Sequence, residues 1–536
     1  DRSGMDPITC EVFSHRFAAV CEEMGAALCR SAFSANIKER RDFSCALFDG
    51  AGELVAQAAH IPVHLGSTQL AVRAALAAHA LRRGDVVAVN DPFAGGTHLP
   101  DLTLVAPVFA SVSRKPLGYL AVRAHHADIG GMAPGSMPLA EEIFQEGFRV
   151  PPILCVRNGR WVREFLDLFL ANTRVSDERQ GDLFAQLSAI RIGQQRIVEL
   201  ARRHGPVTLR EAMRALQDYS ERLARALIRR IPAGSYRARD FLDDDGLGTR
   251  RIPIEALVCA QGDSLVVDFS GSAAQVRGCV NANHAIAWAA VLYVLQILAD
   301  GKIPPNSGLM RPVQVVAPDG SVVNAGFPAA MAGGNVETSQ RLVDVLLRAL
   351  SPALPEEIPA ASCGSMNNVA FGGYDERRRR YFTYYETIGG GAGGGPSGPG
   401  ESAIHTHMTN TLNTPIEALE SSYPIRVTSY RIRTASGGLG RHRGGDGIVR
   451  ELQALTQMRA TLLTERRAFA PYGLAGGFPG KRGRNETLDR KGKATVLPAK
   501  VVFTLETGDR LRISTPGGGG WGPKGSGKWE KGARGR

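Results

Sequence analysis

Two short apolar runs, residues 86–89 and 117–122, each give way to a polar segment that carries paired glycines. The first leads into Asn90-Asp91-Pro92-Phe93-Ala94-Gly95-Gly96-Thr97-His98-Leu99-Pro100-Asp101. The second leads into His125-His126-Ala127-Asp128-Ile129-Gly130-Gly131. Apolar runs of this length bounded by turn residues predict buried strands, so the polar clusters fall where strands become loops. Binding and catalytic groups concentrate at such places.

The spacing His98-x-x-Asp101, with Pro100 stiffening the turn, lets an imidazole and a carboxylate meet at one point. His125, at the end of the second strand, can supply a third donor. Two histidines with one or two carboxylates form a nitrogen and oxygen set that suits Zn, Mn or Fe better than Ca or Mg. The plain alternative is that His98 and Asp101 brace a loop while His125 and His126 form a satisfied pair. For any one residue alone that alternative is the preferred reading. Their convergence in a loop system with four glycines favours a metal site. His126 and Asp128, beside the ligand set, are the candidates to orient a water or move its proton, and their roles are interchangeable at this level. Successive residues leaving a strand point to opposite faces, so His125 and His126 do not enter one coordination sphere with equal ease.

Length suggests three to four domain-sized units, and a 43% hydrophobic, 22% charged composition is that of a globular protein. The absence of a long apolar run or a charged start with an apolar core predicts neither a membrane span nor a secretory signal, and a cytoplasmic setting. Eight scattered cysteines without a C-x-x-C pair read as reduced, mostly buried residues. The net charge of +12 sits largely in residues 377–380, Arg229-Arg230 and 524–536. No nucleic-acid module accompanies these runs, which read as solvated faces and a tail.

Along the chain, Asp6-Pro7 opens a helix whose Phe13, Phe17, Val20, Met24 and Leu28 form one apolar stripe. Residues 43–57 read as a hairpin with Asp42 at its mouth. Ser67 is expected to cap a helix ending near Gly84. Residues 141–147 form an acidic loop segment that is expected to border the substrate. Residues 176–204 and 208–231 predict a helical hairpin. Strand-like runs begin at Gly234, and residues 243–246 read as a turn rather than a calcium loop. Helices are expected over 284–299 and 340–350. The glycine-dense stretch 389–400 reads as an ordered loop in preference to a flexible connector. The expected fold is a mixed α+β, multi-layer subunit with a helical N-terminal part and a β-rich C-terminal part. Its predicted divisions are 6–233 around the metal site, 234–360 as a central α/β unit, 361–522 as a glycine-rich and β-rich unit, and 523–536 as a disordered basic tail. Gly522 to Trp529 mimics a phosphate-binding loop but lacks the Ser or Thr and the following helix, so no nucleotide loop is expected in the chain.

The segments NDPFAGGTHLPD and RAHHADIGG resemble the hydantoinase B/oxoprolinase family. Six further ordered motifs extend the resemblance from Asp6 to Trp521: RDFSCALFD, GDLFAQ, DFSGSAAQVRGCVN, GGNVETSQR, NTPIEALE and TPGGGGWG. The resemblance implies that Asp42 joins His98, Asp101 and His125 at the metal. Residue type alone leaves Asp42 equally open to pairing with Arg40 or Arg41. It also implies a B-type subunit of an ATP-dependent cyclic amidohydrolase. A separate A-type subunit there phosphorylates the carbonyl oxygen of a cyclic amide or imide, and the B-type subunit completes ring opening with a metal-activated water. A hetero-oligomer follows, with ATP used on the partner. The rival enzyme reading is the alpha subunit of an acetone- or acetophenone-type carboxylase, and the non-enzyme rival is a scaffold that kept the fold.

Overall fold

The computed structural model describes residues 5–58, 60–110 and 115–524. The expected tail from residue 525 onward lies outside them. Among the described residues no helix is long and apolar enough to cross a membrane.

Helix Pro7–Ser31 begins as its sequence demands: the Asp6 side chain accepts from Thr9 N at 3.0 Å and proline occupies the first turn. Phe13, Phe17, Val20, Met24 and Leu28 are all buried. They face a seven-stranded antiparallel sheet together with the long helix Ser176–His204. Its strands are β1 (Phe43–Asp49), β2 (Leu54–Gln57), β3 (Val86–Val89), β4 (Asp101–Val108), β5 (Gly118–His125), β6 (Ile153–Arg157) and β7 (Arg160–Trp161), in the order β2-β1-β5-β4-β3-β6-β7. Period-2 alternation divides the strands between two cores. Leu102, Leu104, Leu120 and Val122 face the two long helices, whereas Val105, Tyr119 and Ala121 face helix Ser67–Ala78. That last helix ends at Ala78, well before Gly84. Its cap is Gly66, in the left-handed region at φ 73°, and not Ser67, whose hydroxyl instead donates back to Val63 O.

Helix Pro206–Ile228 follows Ser176–His204 as the second arm of the expected hairpin. The central part of the chain forms a second sheet, β11-β10-β9-β8, from β8 (Gly234–Asp244), β9 (Arg250–Gln261), β10 (Ser264–Asp268) and β11 (Val313–Val316). Helices His284–Leu298 and Ser339–Leu350 share its core. Residues 245–249 turn between β8 and β9, with Asp245 Oδ1 accepting from Leu247 N and Thr249 N. Asp243 and Asp244, expected in the turn, instead end β8, so the turn lies slightly later than the sequence suggests. A π-helical turn, Gly334–Thr338, precedes Ser339–Leu350, and such turns concentrate at functional sites.

The remainder is β-rich: β12 (Asn368–Asp375), β13 (Arg380–Glu386), β14 (Ile425–Arg433), β15 (Gly447–Ala454), β16 (Met458–Leu463), β17 (Arg484–Leu488), β18 (Ala494–Leu497), β19 (Lys500–Leu505) and β20 (Arg510–Ser514). They make two sheets, β13-β12-β16-β19 and β14-β15-β20-β17-β18. A buried pair joins them, Arg450 Nε to Glu386 Oε1 at 2.5 Å.

Beside these sheets lies a layer joined chiefly by backbone hydrogen bonds. Gly445 N donates to Ala392 O at 2.8 Å, Gly518 N to Gly445 O at 2.9 Å, and Gly438 N to Gly518 O at 2.8 Å. A Cβ on Gly518 would sit 1.9 Å from Ala392 O, and one on Gly445 would sit 1.8 Å from Glu401 O. The glycines of 391–394, 437–447 and 517–520 therefore serve close approach, Gly398 does not, and backbone bonds such as Gly391 N to Pro516 O make the stretch 389–400 an ordered loop.

Candidate metal centre

The register of three neighbouring strands assembles the cluster. Phe43 of β1 pairs with Ala124 of β5, so Asp42 lies level with His125, whose N donates to Asp42 O at 3.0 Å. On the other side, Asp101 of β4 pairs directly with His125. His98 sits in the turn before β4, its carbonyl accepting from Asp101 N at 3.2 Å. Four residues from three segments are thus brought to one level of the sheet.

His98 Nε2 lies 3.1 Å from Asp101 Oδ1, and His125 Nδ1 lies 3.4 Å from the same oxygen. Among the described residues these three form the one group whose donor atoms all lie within 4.8 Å of one another in a metal-competent arrangement. All three are almost wholly buried. Asp101 Oδ1, His98 Nδ1 and His125 Nε2 nevertheless make no hydrogen bond. Orphaned polar atoms in an interior are costly, and a cation among the donors removes that cost at Asp101 Oδ1. Burial disfavours the charge on Asp101, yet the His98 and His64 imidazoles and a contact from His125 hold its carboxyl well below the usual range. Burial pushes His125 down, against the pull of Asp101 and Asp42. An ionised carboxylate beside a neutral imidazole is the protonation state that a divalent ion requires. The donor set fits a first-row transition ion.

Asp42 stands at the edge of the cluster. Its Oδ2 is 3.9 Å from His125 Nδ1 and equally 3.9 Å from Arg40 Nη1, so the geometry keeps both sequence readings of Asp42 in play. The other Asp101 oxygen, Oδ2, is held by Thr97 Oγ1 and His64 Nε2, each at 3.1 Å, while His64 Nδ1 meets Ser44 Oγ at 2.9 Å. This line of Ser44, His64 and Asp101 orients the carboxylate.

A family model described as hydantoinase B/oxoprolinase matches residues 6–524. The chain belongs to the hydantoinase B/oxoprolinase family. Within it, a protein named as the putative B-type subunit of a D-/L-hydantoinase from Pseudomonas sp. (strain NS671) is 32% identical, over 97% of this chain and 91% of its own. A 5-oxoprolinase from Dictyostelium discoideum is 39% identical over 97% of this chain, which spans only 41% of that longer protein. Among solved structures, the ATP-dependent caprolactamase from Pseudomonas jessenii superposes with a TM-score of 0.88 at 29% identity, covering 97% of this chain and 91% of that one.

In this hydantoinase B-type chain, His126 and Asp128 make their hydrogen bonds away from the cluster. His126 leaves the strand on the opposite face from His125. Its Nε2 meets Gln186 Oε1 at 2.9 Å, and its ring packs edge-on to Phe169. Burial pushes its pKa down to about 4. Gln186 in turn donates to Leu102 O and Val122 O, tying helix Ser176–His204 to β4 and β5. Asp128 accepts from Gly130 N, Gly135 N and Arg174 Nη1, the last at 2.8 Å, and so clamps the glycine loop. The acidic segment 141–147 holds the short helix Ile143–Glu146, and its Glu141 pairs with Arg277 at the surface.

Sequence reasoning missed His64, Asn335 and Tyr385. Asn335 sets its amide 3.2 Å from His98 Nε2, with its Oδ1 buried and unpartnered. Tyr385 stacks on His125. Only Asn335 carried a signal, since it lies in the GGNVETSQR motif. The geometry separates the paired histidines: His125→Ala is expected to lose metal. His126→Ala is expected to keep it and lower stability by about 1–3 kcal/mol, the cost of an unpaired buried amide. Metal content and urea midpoints of the two variants check this, and the reverse pattern would move the ligand to His126.

Proposed function

We propose that the chain is the B-type subunit of an ATP-dependent cyclic amidohydrolase that opens an activated cyclic amide or imide ring. The observation that carries this reading is the buried cluster of His98, Asp101 and His125 on this family's scaffold, with Asp42 at its edge. A divalent cation there, Zn or Mn first and Fe after them, would supply Lewis acidity to a carbonyl and bring the pKa of a bound water toward neutrality. His98, Asp101 and His125 would hold it. His64 and Thr97 fix the carboxylate of Asp101, and burial excludes bulk water from its orphaned oxygen.

Cyclic amides are poor electrophiles, and ATP-driven phosphorylation of the carbonyl oxygen answers that. The relatives named as a hydantoinase B-type subunit and as an ATP-dependent caprolactamase support an A-type, ATP-using partner in a hetero-oligomer. The longer 5-oxoprolinase supports the same division, joined in one chain. The isolated chain is expected to show no substrate-stimulated ATP hydrolysis, with turnover appearing only when an A-type subunit is added. Assays with hydantoin, 5-oxoproline, or a ketone plus bicarbonate read the reaction class. ATP turnover by the chain alone would overturn the division of labour, and carboxylation without ring opening would overturn the hydrolase reading.

A further inference from the structure

Tyr385 is the last-but-one residue of β13 and comes from a part of the chain far from the metal-site sheet, yet it is wholly buried against that sheet. Its ring stacks on the His125 imidazole with centroids 4.5 Å apart and planes 8° apart. The Arg40 guanidinium lies 5.1 Å from the same ring, and Arg40 Nη1 donates to Tyr385 O at 3.1 Å. The phenol donates to Asn368 Oδ1 at 2.7 Å. Asn368 Nδ2 donates to Glu337 Oε1 at 2.6 Å and to Leu463 O at 2.8 Å. Glu337 Oε1 also accepts from Met366 N, and its Oε2 is buried without a partner. Glu337 belongs to the π-helical turn that also carries Asn335, the residue against His98.

This relay reaches both histidines from one side. A stacked ring permits an imidazole to slide within its plane but opposes tilt out of it. The backbone adds a second restraint, because Asn36 Nδ2 donates to His125 O at 3.0 Å. A phenyl ring alone would give the stack; the hydroxyl anchored on Asn368 also fixes where the ring sits. We propose that Tyr385, anchored through Asn368 to Glu337, is a positioning residue that sets the plane of the His125 imidazole so that Nδ1 faces Asp101. It sharpens the metal-site reading of the previous section and rests on it. The role requires Tyr385 to act through His125 and not to touch the reacting atoms.

The test measures metal affinity of the full-length chain by competition with a chromogenic chelator, using Zn and Mn alone as probes, alongside thermal unfolding without metal. Tyr385→Leu, which removes stack and hydroxyl, is expected to weaken metal binding by about 10–100-fold, the usual effect of losing a group that orients a ligand. Tyr385→Phe keeps the stack and the core volume, and is expected to fall between wild type and Tyr385→Leu. Asn368→Ala, which releases the same hydroxyl and also frees Glu337 and Leu463 O, is expected to weaken metal binding at least as much as Tyr385→Phe. A variant series that lowers the unfolding temperature while metal affinity stays at the wild-type value would overturn the proposal and leave Tyr385 as core. His98→Ala separates the two readings. If it loses metal while Tyr385→Phe and Tyr385→Leu bind normally, only the positioning role falls. If His98→Ala also binds as wild type, the metal site itself falls.

Discussion

Replacing His98 and Asp101 together by alanine is expected to leave the chain without stoichiometric metal and to lower ring-opening turnover by at least ~100-fold. The expectation rests on geometry: Asp101 Oδ1 is the common neighbour of both imidazoles, at 3.1 Å and 3.4 Å, so its loss with that of His98 leaves His125 as a lone donor in the group. One imidazole, even with Asp42 at its edge, does not retain a divalent ion through dialysis. Asp101→Asn is the informative companion, because it keeps the shape that Thr97 and His64 contact while removing the charge. Metal analysis after gel filtration reads both variants. Full metal retention in the double variant would remove the basis of the proposed chemistry.

The largest structural effect is expected at a glycine. Gly518→Ala places a methyl group 1.9 Å from Ala392 O, backbone against backbone, where no rotamer change relieves the clash. Two segments must separate and their amide hydrogen bonds stretch, so a loss above ~4 kcal/mol is expected. Gly398→Ala is the control: its added methyl meets nothing within 4 Å, and the expected change stays within ~0.5 kcal/mol. Urea midpoints and soluble yield measure the contrast, and equal stabilities of the two variants would show that the layer relaxes.

What the sequence made legible follows from the range of each interaction. The first helix was readable because Asp6, Pro7 and the stripe from Phe13 to Leu28 are local signals. The cluster was readable in part because His98 and Asp101 are three residues apart and because both polar segments border predicted strands. That His125 and His126 diverge follows from strand alternation, but His126's partner does not: Gln186 reaches it only once a helix packs on the sheet. The same reason hid Tyr385 and His64. Their contacts depend on long-range packing that neither periodicity nor spacing encodes. Ser67 was misread as a cap because the adjacent Gly66 takes the left-handed conformation that starts the helix. The strand at Asp101–Val108 is buried on both faces and shows no alternation, so period-2 patterning does not reveal it.

The glycine layer also sets an order of events during synthesis. Ala392 and Gly445 leave the ribosome well before Gly518, at roughly 5–20 residues per second. Until the 517–520 segment arrives, the carbonyl of Gly445 and the amide of Gly438 have no strand to meet. Unpaired backbone groups of this kind are an open template for another nascent chain. The motif TPGGGGWG therefore works as a closing clasp on a layer whose two earlier segments are already joined by the bond from Gly445 N to Ala392 O.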